Sequence, residues 1–237
     1  MEISDLQLPA EVETKSFKDA AEMAQAQAER VARALDVAIS EQGGASLVVS
    51  GGRSPIAFFE ALSTCELDWS RVQISLADER WVDLSDTDSN EGLIRRHLLQ
   101  NAAAEAQVIG LSQPAESLEE AAQLAGQRLA SLRQPIDVLV LGMGNDGHTA
   151  SLFPDSPLLA QALQRDGTAS CLPMHAPVKP QQRITMTYPL LAAARMQMLA
   201  IQGPDKLETL QQALRLEPMQ MPIRAFLHSP LEIYWCP

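Results

Sequence analysis

The sequence predicts an α/β fold built on a mainly parallel sheet. Short apolar runs read as buried strands, and they alternate with stretches of helical periodicity, which is the pattern of βα units. Three unusual polar or glycine-rich segments, 50–54, 78–80 and 142–148, each come directly after such a run. Parallel units cross over with one hand, and ligands of such sheets bind beyond the carboxyl ends of the strands. All three segments are therefore expected on one rim.

The first element is a long amphipathic helix over 16–39, with Phe17, Ala20, Ala24, Ala28, Val31, Leu35 and Ala38 spaced by threes and fours and Gly43-Gly44 as its stop. SLVVS (46–50) is a short buried strand. A helix comes next over 55–62, with Pro55 near its first turn. VQISLA (72–77) is the next strand, carrying Asp78-Glu79-Arg80 at its C-terminal end. Segment 85–90 is a polar loop, 91–100 a helix, 106–109 a short strand and 117–132 a second amphipathic helix. IDVLVL (136–141) is the strongest buried strand, and it runs directly into the glycines of 142–147. Beyond Phe153-Pro154 the segment 169–175 reads as extended, 183–187 as a short strand and 188–194 as a helical turn or two. A strand over 196–201 precedes a helix over 205–216, capped by Asp205 and burying Leu207, Leu210 and Leu214. Segment 231–235 is a last edge or core strand, and MQMPIRAF (219–226) is packing, a subunit contact or a lid. No repeat, low-complexity tract or linker breaks the chain, so residues 1–237 are expected to form one domain.

Composition narrows the function. Hydrophobic residues at 46% and charged residues at 20% are ordinary for a soluble globular protein and argue against disorder. Eighteen basic against thirty acidic residues gives a net charge of −12, the wrong sign for a nonspecific nucleic-acid binder or for an anionic membrane surface. An anionic small ligand then needs a local basic site. Cys65, Cys171 and Cys236 are odd in number and contain no CxxC pair, a poor basis for disulfides or structural zinc, and a reducing compartment fits best. The opening MEISDLQ lacks the pattern of a signal peptide, and no apolar stretch reaches the length of a membrane span.

Chemistry concentrates in the three rim segments. Ser50-Gly51-Gly52-Arg53-Ser54-Pro55 turns from strand to helix; its N–H groups make an anion nest with Ser54 as a donor, or else a glycine turn with Ser54 as a cap. Gly142-Met143-Gly144-Asn145-Asp146-Gly147 spells GxGxxG, but it lies late in the chain, Pro154 breaks the helical pattern after about two turns, and Asp166 sits in a polar stretch, so a dinucleotide site is disfavoured. His148 directly after this loop suits acid–base work, with Asp146 two residues away to hold it; a capping Asp beside a structural His is the plain alternative. Asp78 and Arg80 share one side of an extended chain, as site groups or as a surface ion pair. Arg183 and Lys206 are further candidate cations for the rim, whereas His97, His175 and His228 lack metal-ligand spacing with His148. Met196 and Met198 read as core filling.

Together these segments resemble the 6-phosphogluconolactonase family. The matching pieces, in the family's order, are VVSGGRSP (48–55), SLADERWV (75–82), DSN (88–90), LGMGNDGHTASLFP (141–154), QQRITMTYPLL (181–191) and GPDK (203–206). Related glucosamine-6-phosphate deaminases share the GxDGH core but continue with an FNEP-like segment where this chain has Ser151-Leu152-Phe153-Pro154. The resemblance implies a three-layer α/β/α architecture with a mainly parallel, Rossmann-like sheet of the glucosamine-6-phosphate isomerase type. It implies hydrolysis of 6-phospho-D-glucono-1,5-lactone in the oxidative pentose phosphate pathway, in the cytoplasm, without metal or organic cofactor. The expected partner is thus a small sugar-phosphate lactone, with no nucleic acid and no membrane, and a monomer or small homo-oligomer. The family pattern puts its acid–base histidine on His148, its strand-end acid and arginine on Asp78 and Arg80, its glycine loop on Gly51 and Gly52, and its phosphate-side cations on Arg53, Arg183 and Lys206. Ser54 and Gly144 complete the expected binding set, and Asp146 the catalytic one. A serine nucleophile at Ser54 or Ser151 is less economical, since no GxSxG elbow is present. The competing functions are an aminosugar-phosphate deaminase or isomerase and a non-catalytic sugar-phosphate-binding module.

Overall fold

The computed structural model describes residues 2–228 and 230–237. Along the chain run β1 (Glu13–Ser16), α1 (Ala20–Gln42), β2 (Ala45–Val49), α2 (Ile56–Ser63), β3 (Val72–Leu76), β4 (Asp78–Arg80), α3 (Asn90–His97), β5 (Gln107–Val108) and α4 (Leu118–Arg128). The second half holds β6 (Val138–Leu141), α5 (Leu159–Ala162), β7 (Cys171–His175), β8 (Gln182–Met186), α6 (Tyr188–Ala192), β9 (Met196–Gln202), α7 (Pro204–Ala213) and β10 (Leu231–Cys236). Seven strands form one sheet in the order β1-β10-β9-β6-β2-β3-β5, and every neighbouring pair is parallel. The mainly parallel α/β fold expected from the sequence is therefore the one observed. A small antiparallel sheet, β4-β8-β7, stands beside it.

The central strands are buried on both faces, as parallel strands sandwiched by helices must be. β2 and β6 are buried at every position, and Met198 on β9 is fully buried as core filling. β10, which the sequence left open between edge and core, lies inside the sheet between β1 and β9. Cys65, Cys171 and Cys236 are all free thiols.

Several boundaries differ from the sequence reading for identifiable reasons. α1 starts after Asp19, whose carboxylate accepts the Glu22 N–H as an N-cap, and it ends at Gly43 with φ +78°. The residues before it, Glu13–Ser16, are extended and pair with β10, so Phe17 leaves the expected helical stripe and stacks on Tyr234 at 5.3 Å. α7 begins at Pro204 with Gly203 in the N-cap position, so Asp205 sits inside the first turn and does not cap. Likewise Pro55 occupies the N-cap position of α2 without any side-chain cap bond, which removes the capping role considered for Ser54.

Two differences shape the site. The chain leaves the central sheet at Ala77, whose N–H still donates to Val49 at 2.9 Å while its carbonyl accepts from Met186 of β8 at 2.8 Å. From Asp78 onward it pairs antiparallel with β8 and belongs to the small sheet. After β6 no helix forms until Leu159; the intervening loop is closed by Gly144 N–H to His148 O (2.9 Å), Gly147 N–H to Gly144 O (3.1 Å) and Thr149 Oγ1 to Gly142 O (2.8 Å). A dinucleotide fingerprint needs a helix opening at its glycines, and this loop supplies none. Segment 219–226 packs behind the loop, with Ile223 N–H donating to Gly147 O at 2.9 Å and Pro222, Ile223 and Phe226 buried; it does not cover the cavity as a lid.

Candidate active site

A cavity of about 360 Å³ opens where β2, β6 and β9 end, with the small sheet as its opposite wall. Gly51, Gly52 and Ser54 reach it from the turn after β2, Gly144 and His148 from the loop after β6, and Lys206 from the start of α7. Asp78, Arg80 and Arg183 reach it from the small sheet. Of the expected residues, Arg53 and Asp146 are not on the cavity wall. Arg53 is exposed and does not line the cavity, which its place in a glycine turn did not reveal. Asp146 stands one hydrogen bond removed from the wall, bound to His148.

His148 Nδ1 lies 2.5 Å from Asp146 Oδ1, which also accepts the His148 backbone N–H at 3.1 Å. A carboxylate oxygen only accepts, so Nδ1 carries the proton and the basic lone pair of the neutral ring falls on Nε2. The ring rests on Phe153, with centroids 4.5 Å apart. Burial pushes the Asp146 carboxyl upward, but the hydrogen bond and charge of His148 outweigh it and hold the group below the usual carboxylate range. Gly144 makes room for this pair, because a Cβ there would stand 2.2 Å from His148 Nδ1 and 2.6 Å from Asp146 Oδ1.

The opposite wall carries two guanidiniums, and the glycine loop holds a third cation. Arg80 and Arg183 are directly opposed partners in the β4–β8 ladder. Like charges at such positions repel, and Asp78, Asp88 and Glu79 lie near enough to Arg183 to offset part of that repulsion. Arg80 Nη1 donates to Asp88 O at 2.7 Å, and Arg183 Nε to Pro180 O at 2.7 Å, which fixes both side chains. Burial holds the Arg183 guanidinium below its ordinary pKa, against the favourable charge of Asp78. Lys206 Nζ donates to Met143 O at 2.8 Å and to Asn145 Oδ1, so the glycine loop itself aims this ammonium. Burial lowers its pKa as well, and Asp146 and Asp205 oppose that.

Asp78 is 6% exposed, and its Oδ2 accepts from Ser151 Oγ at 2.5 Å. Ser151 is itself fully buried and off the cavity wall, with its hydroxyl committed to Asp78 and not to an imidazole. That leaves Ser151 without the imidazole base of a serine nucleophile. Glu79, between the two wall residues, turns the other way: it is fully buried and accepts the backbone N–H groups of Arg80, Asn90 and Glu91, each at 2.7 Å. Burial, reinforced by the nearby Asp78 charge, wins over these bonds and pushes its carboxyl up to about 7. Among the described residues no group of three His, Cys, Asp or Glu is arranged to hold a metal ion, and no helix is long and apolar enough to cross a membrane.

The sequence reading missed Asn90 as a wall residue. Its Nδ2 donates to Asp78 O at 2.9 Å, and its amide lies so close to Gly51 that a Cβ there would stand 1.9 Å from Asn90 Oδ1. The signal was visible only as the last letter of the DSN segment.

Comparison with known proteins agrees with this architecture. The family pattern described as glucosamine-6-phosphate isomerases/6-phosphogluconolactonase matches residues 18–235. A 6-phosphogluconolactonase of Pseudomonas aeruginosa is 60% identical, covering all of both chains, and one of Rhizobium meliloti is 45% identical over 93% of this chain and 97% of its own. The crystal structure of a 6-phosphogluconolactonase from Shewanella baltica superposes with a TM-score of 0.93 at 40% identity, covering 97% of this chain and all of that one. A monomeric glucosamine-6-phosphate deaminase shares the fold at 17% identity and a TM-score of 0.77, covering 94% of this chain and 97% of its own. With its sheet, its glycine loop and nearly its whole length matched, the chain belongs to the glucosamine-6-phosphate isomerase/6-phosphogluconolactonase family.

Proposed function

We propose that this chain hydrolyses 6-phospho-D-glucono-1,5-lactone to 6-phospho-D-gluconate. The observation that carries the reading is one cavity with an Asp-held imidazole on one wall and two opposed guanidiniums on the other. The names of relatives at 60% and 54% identity over the whole chain support the same substrate. Arg183, Lys206 and the N–H groups of the Gly51-Gly52 turn bind the phosphate and thereby orient the lactone. His148 Nε2 takes a proton from water as the water oxygen bonds to C1. The carbonyl oxygen becomes an oxyanion, which Arg80 or an N–H of the glycine loop stabilises by about 3–4 kcal/mol. The intermediate then breaks its bond from C1 to the ring oxygen, and the His148 imidazolium returns the proton to that oxygen. Asp146 holds the ring in the productive tautomer, and Asp78 orients the sugar hydroxyls. The reaction balances without metal or organic cofactor, and the reading places it in the oxidative pentose phosphate pathway of the cytoplasm.

The test is acid release in a pH-stat from freshly generated lactone, with the spontaneous rate subtracted. Ammonia release from glucosamine 6-phosphate is assayed in parallel. Enzyme-dependent lactone opening without ammonia supports the proposal. Ammonia release makes the chain a deaminase, and binding of 6-phosphogluconate without turnover makes it a binding module.

A further inference from the structure

Arg80 stands on the cavity wall, yet among the described residues its guanidinium makes a single hydrogen bond, from Nη1 to Asp88 O at 2.7 Å, while its Nε is buried without a partner. Whatever places the Asp88 carbonyl therefore aims Arg80. Asp88 ends an exposed loop, 83–88, inside which Asp86 N–H donates to Asp83 O at 2.9 Å and Asp88 N–H to Asp86 Oδ1 at 2.8 Å. Neither bond reaches a sheet, and a loop with few contacts of its own is held by its ends.

The tie at the Asp88 end is Glu79. Its side chain is fully buried on β4, and its carboxylate spans the gap to the start of α3. Oε1 accepts the Asn90 N–H and the Arg80 N–H, and Oε2 accepts the Glu91 N–H, each at 2.7 Å. Oε2 also accepts from Ser89 Oγ at 3.3 Å. The three residues directly after Asp88 are thus fastened to one carboxylate, by hydrogen bonds of the strong, charge-assisted kind. Asn90 Nδ2 to Asp78 O at 2.9 Å adds a second tie between the same two segments. Burying a carboxylate is costly unless its lone pairs are used, and all the partners here lie beside Asp88 or Arg80.

We propose that Glu79 is a positioning residue for Arg80: by fastening residues 89–91 it holds the Asp88 carbonyl where that carbonyl aims the guanidinium at the oxyanion. Glu79 itself touches no substrate. This rests on the lactonase reading and deepens it, by naming the group that sets one of its donors.

The experiment is a double-mutant cycle on lactone opening with Glu79→Gln, Arg80→Ala and the pair. Glutamine keeps the shape, but its amide nitrogen cannot accept, so part of the 89–91 turn loses its partner. Arg80→Ala alone is expected to lower kcat roughly 10²–10³-fold, as loss of an oxyanion donor does. Glu79→Gln alone is expected to lower kcat by roughly tenfold to a hundredfold with KM little changed, since a group misplaced by ~1 Å costs up to about that much. In the Arg80→Ala background the same change is expected to do nothing further, because two residues acting through one group are not additive. A Glu79→Gln loss that persists in full without Arg80 means that Glu79 only props the fold, and overturns the inference. A loss confined to KM overturns it too, as does wild-type kcat in either single variant. Should Glu79→Gln fail to fold, Ser89→Ala takes its place in the cycle. It removes the Ser89 Oγ bond to Glu79 and the cap on the Gly92 N–H at 3.0 Å; a smaller kcat loss that vanishes without Arg80 supports the inference, and an additive or absent loss overturns it. Wild-type protein that opens no lactone overturns both the inference and the function it rests on, whereas wild-type turnover with an additive cycle removes the inference alone.

Discussion

Gly144→Ala tests the histidine–aspartate pair without touching either residue. The φ angle at Gly144 lies outside the left-handed region, so alanine is tolerated by the backbone. Its methyl carbon, however, would stand 2.2 Å from His148 Nδ1 and Cε1 and 2.6 Å from Asp146 Oδ1. Ordinary contact needs about 3.5 Å or more, so the ring must retreat by about an ångström and give up its bond to Asp146. A hydrogen bond to a charged group is worth about 1.5–3 kcal/mol, and a misplacement of ~1 Å costs about a hundredfold. Both routes converge on a kcat lower by roughly a hundredfold. Stability should change little, because the His148 and Asp146 side chains are 31% and 43% exposed and can swing outward. The assay is lactone opening in a pH-stat, corrected for spontaneous hydrolysis, alongside a thermal melt of the same sample. Full kcat with the ring displaced in a crystal structure of the variant would refute the reasoning, as would a collapse of the melting temperature that explains the loss by unfolding.

The same geometry sets the remaining expectations. His148→Ala should lower kcat by about 10²–10⁴-fold, and a rate equal to wild type removes the imidazole from the mechanism. Arg183→Ala should mainly raise KM, as loss of phosphate binding does; a flat KM assigns the phosphate elsewhere. Glu79 titrates near 7 in the fold against 4.5 for the free side chain. Because its folded pKa is raised, the native state holds the extra proton between these values, and stability falls as pH rises through that window, by on the order of 3 kcal/mol in all. Chemical denaturation from pH 4.5 to 7.5 should show this slope in wild type and not in Glu79→Gln; equal slopes refute it. Gly43→Ala at φ +78° should cost about 1–2 kcal/mol and leave activity alone, as a melt and a rate measured together will show.

What could be read from sequence depended on how local the signal was. IDVLVL and the run before Gly51 announce themselves because a strand buried on both faces must be apolar throughout. ETKS (13–16) carries no such mark: an exposed edge strand recruited by backbone hydrogen bonds to β10 leaves its side chains free to be polar. The Asp78–Arg80 segment was seen, but not its change of sheets, since that depends on β8 arriving more than a hundred residues later. In the site, His148, Asp146 and Gly144 lie within five residues and could be read as a unit. Asn90 could not, because its value arises only from the approach of Gly51 and the carbonyl of Asp78. Arg53 was credited for its place beside two glycines, and the direction of a side chain on a turn is not a local property.

Ala77 is the joint between the two sheets, with one hydrogen bond into each. The placement of β4, and with it Arg80, therefore passes through a single alanine deep in the protein, while Arg183 is placed by the β7–β8 hairpin beyond it. At the far tip of that hairpin Val178 is 65% exposed at the cavity mouth. Val178 can thus be exchanged to alter which molecules gain entry, so long as Pro180, whose carbonyl holds Arg183, keeps its place.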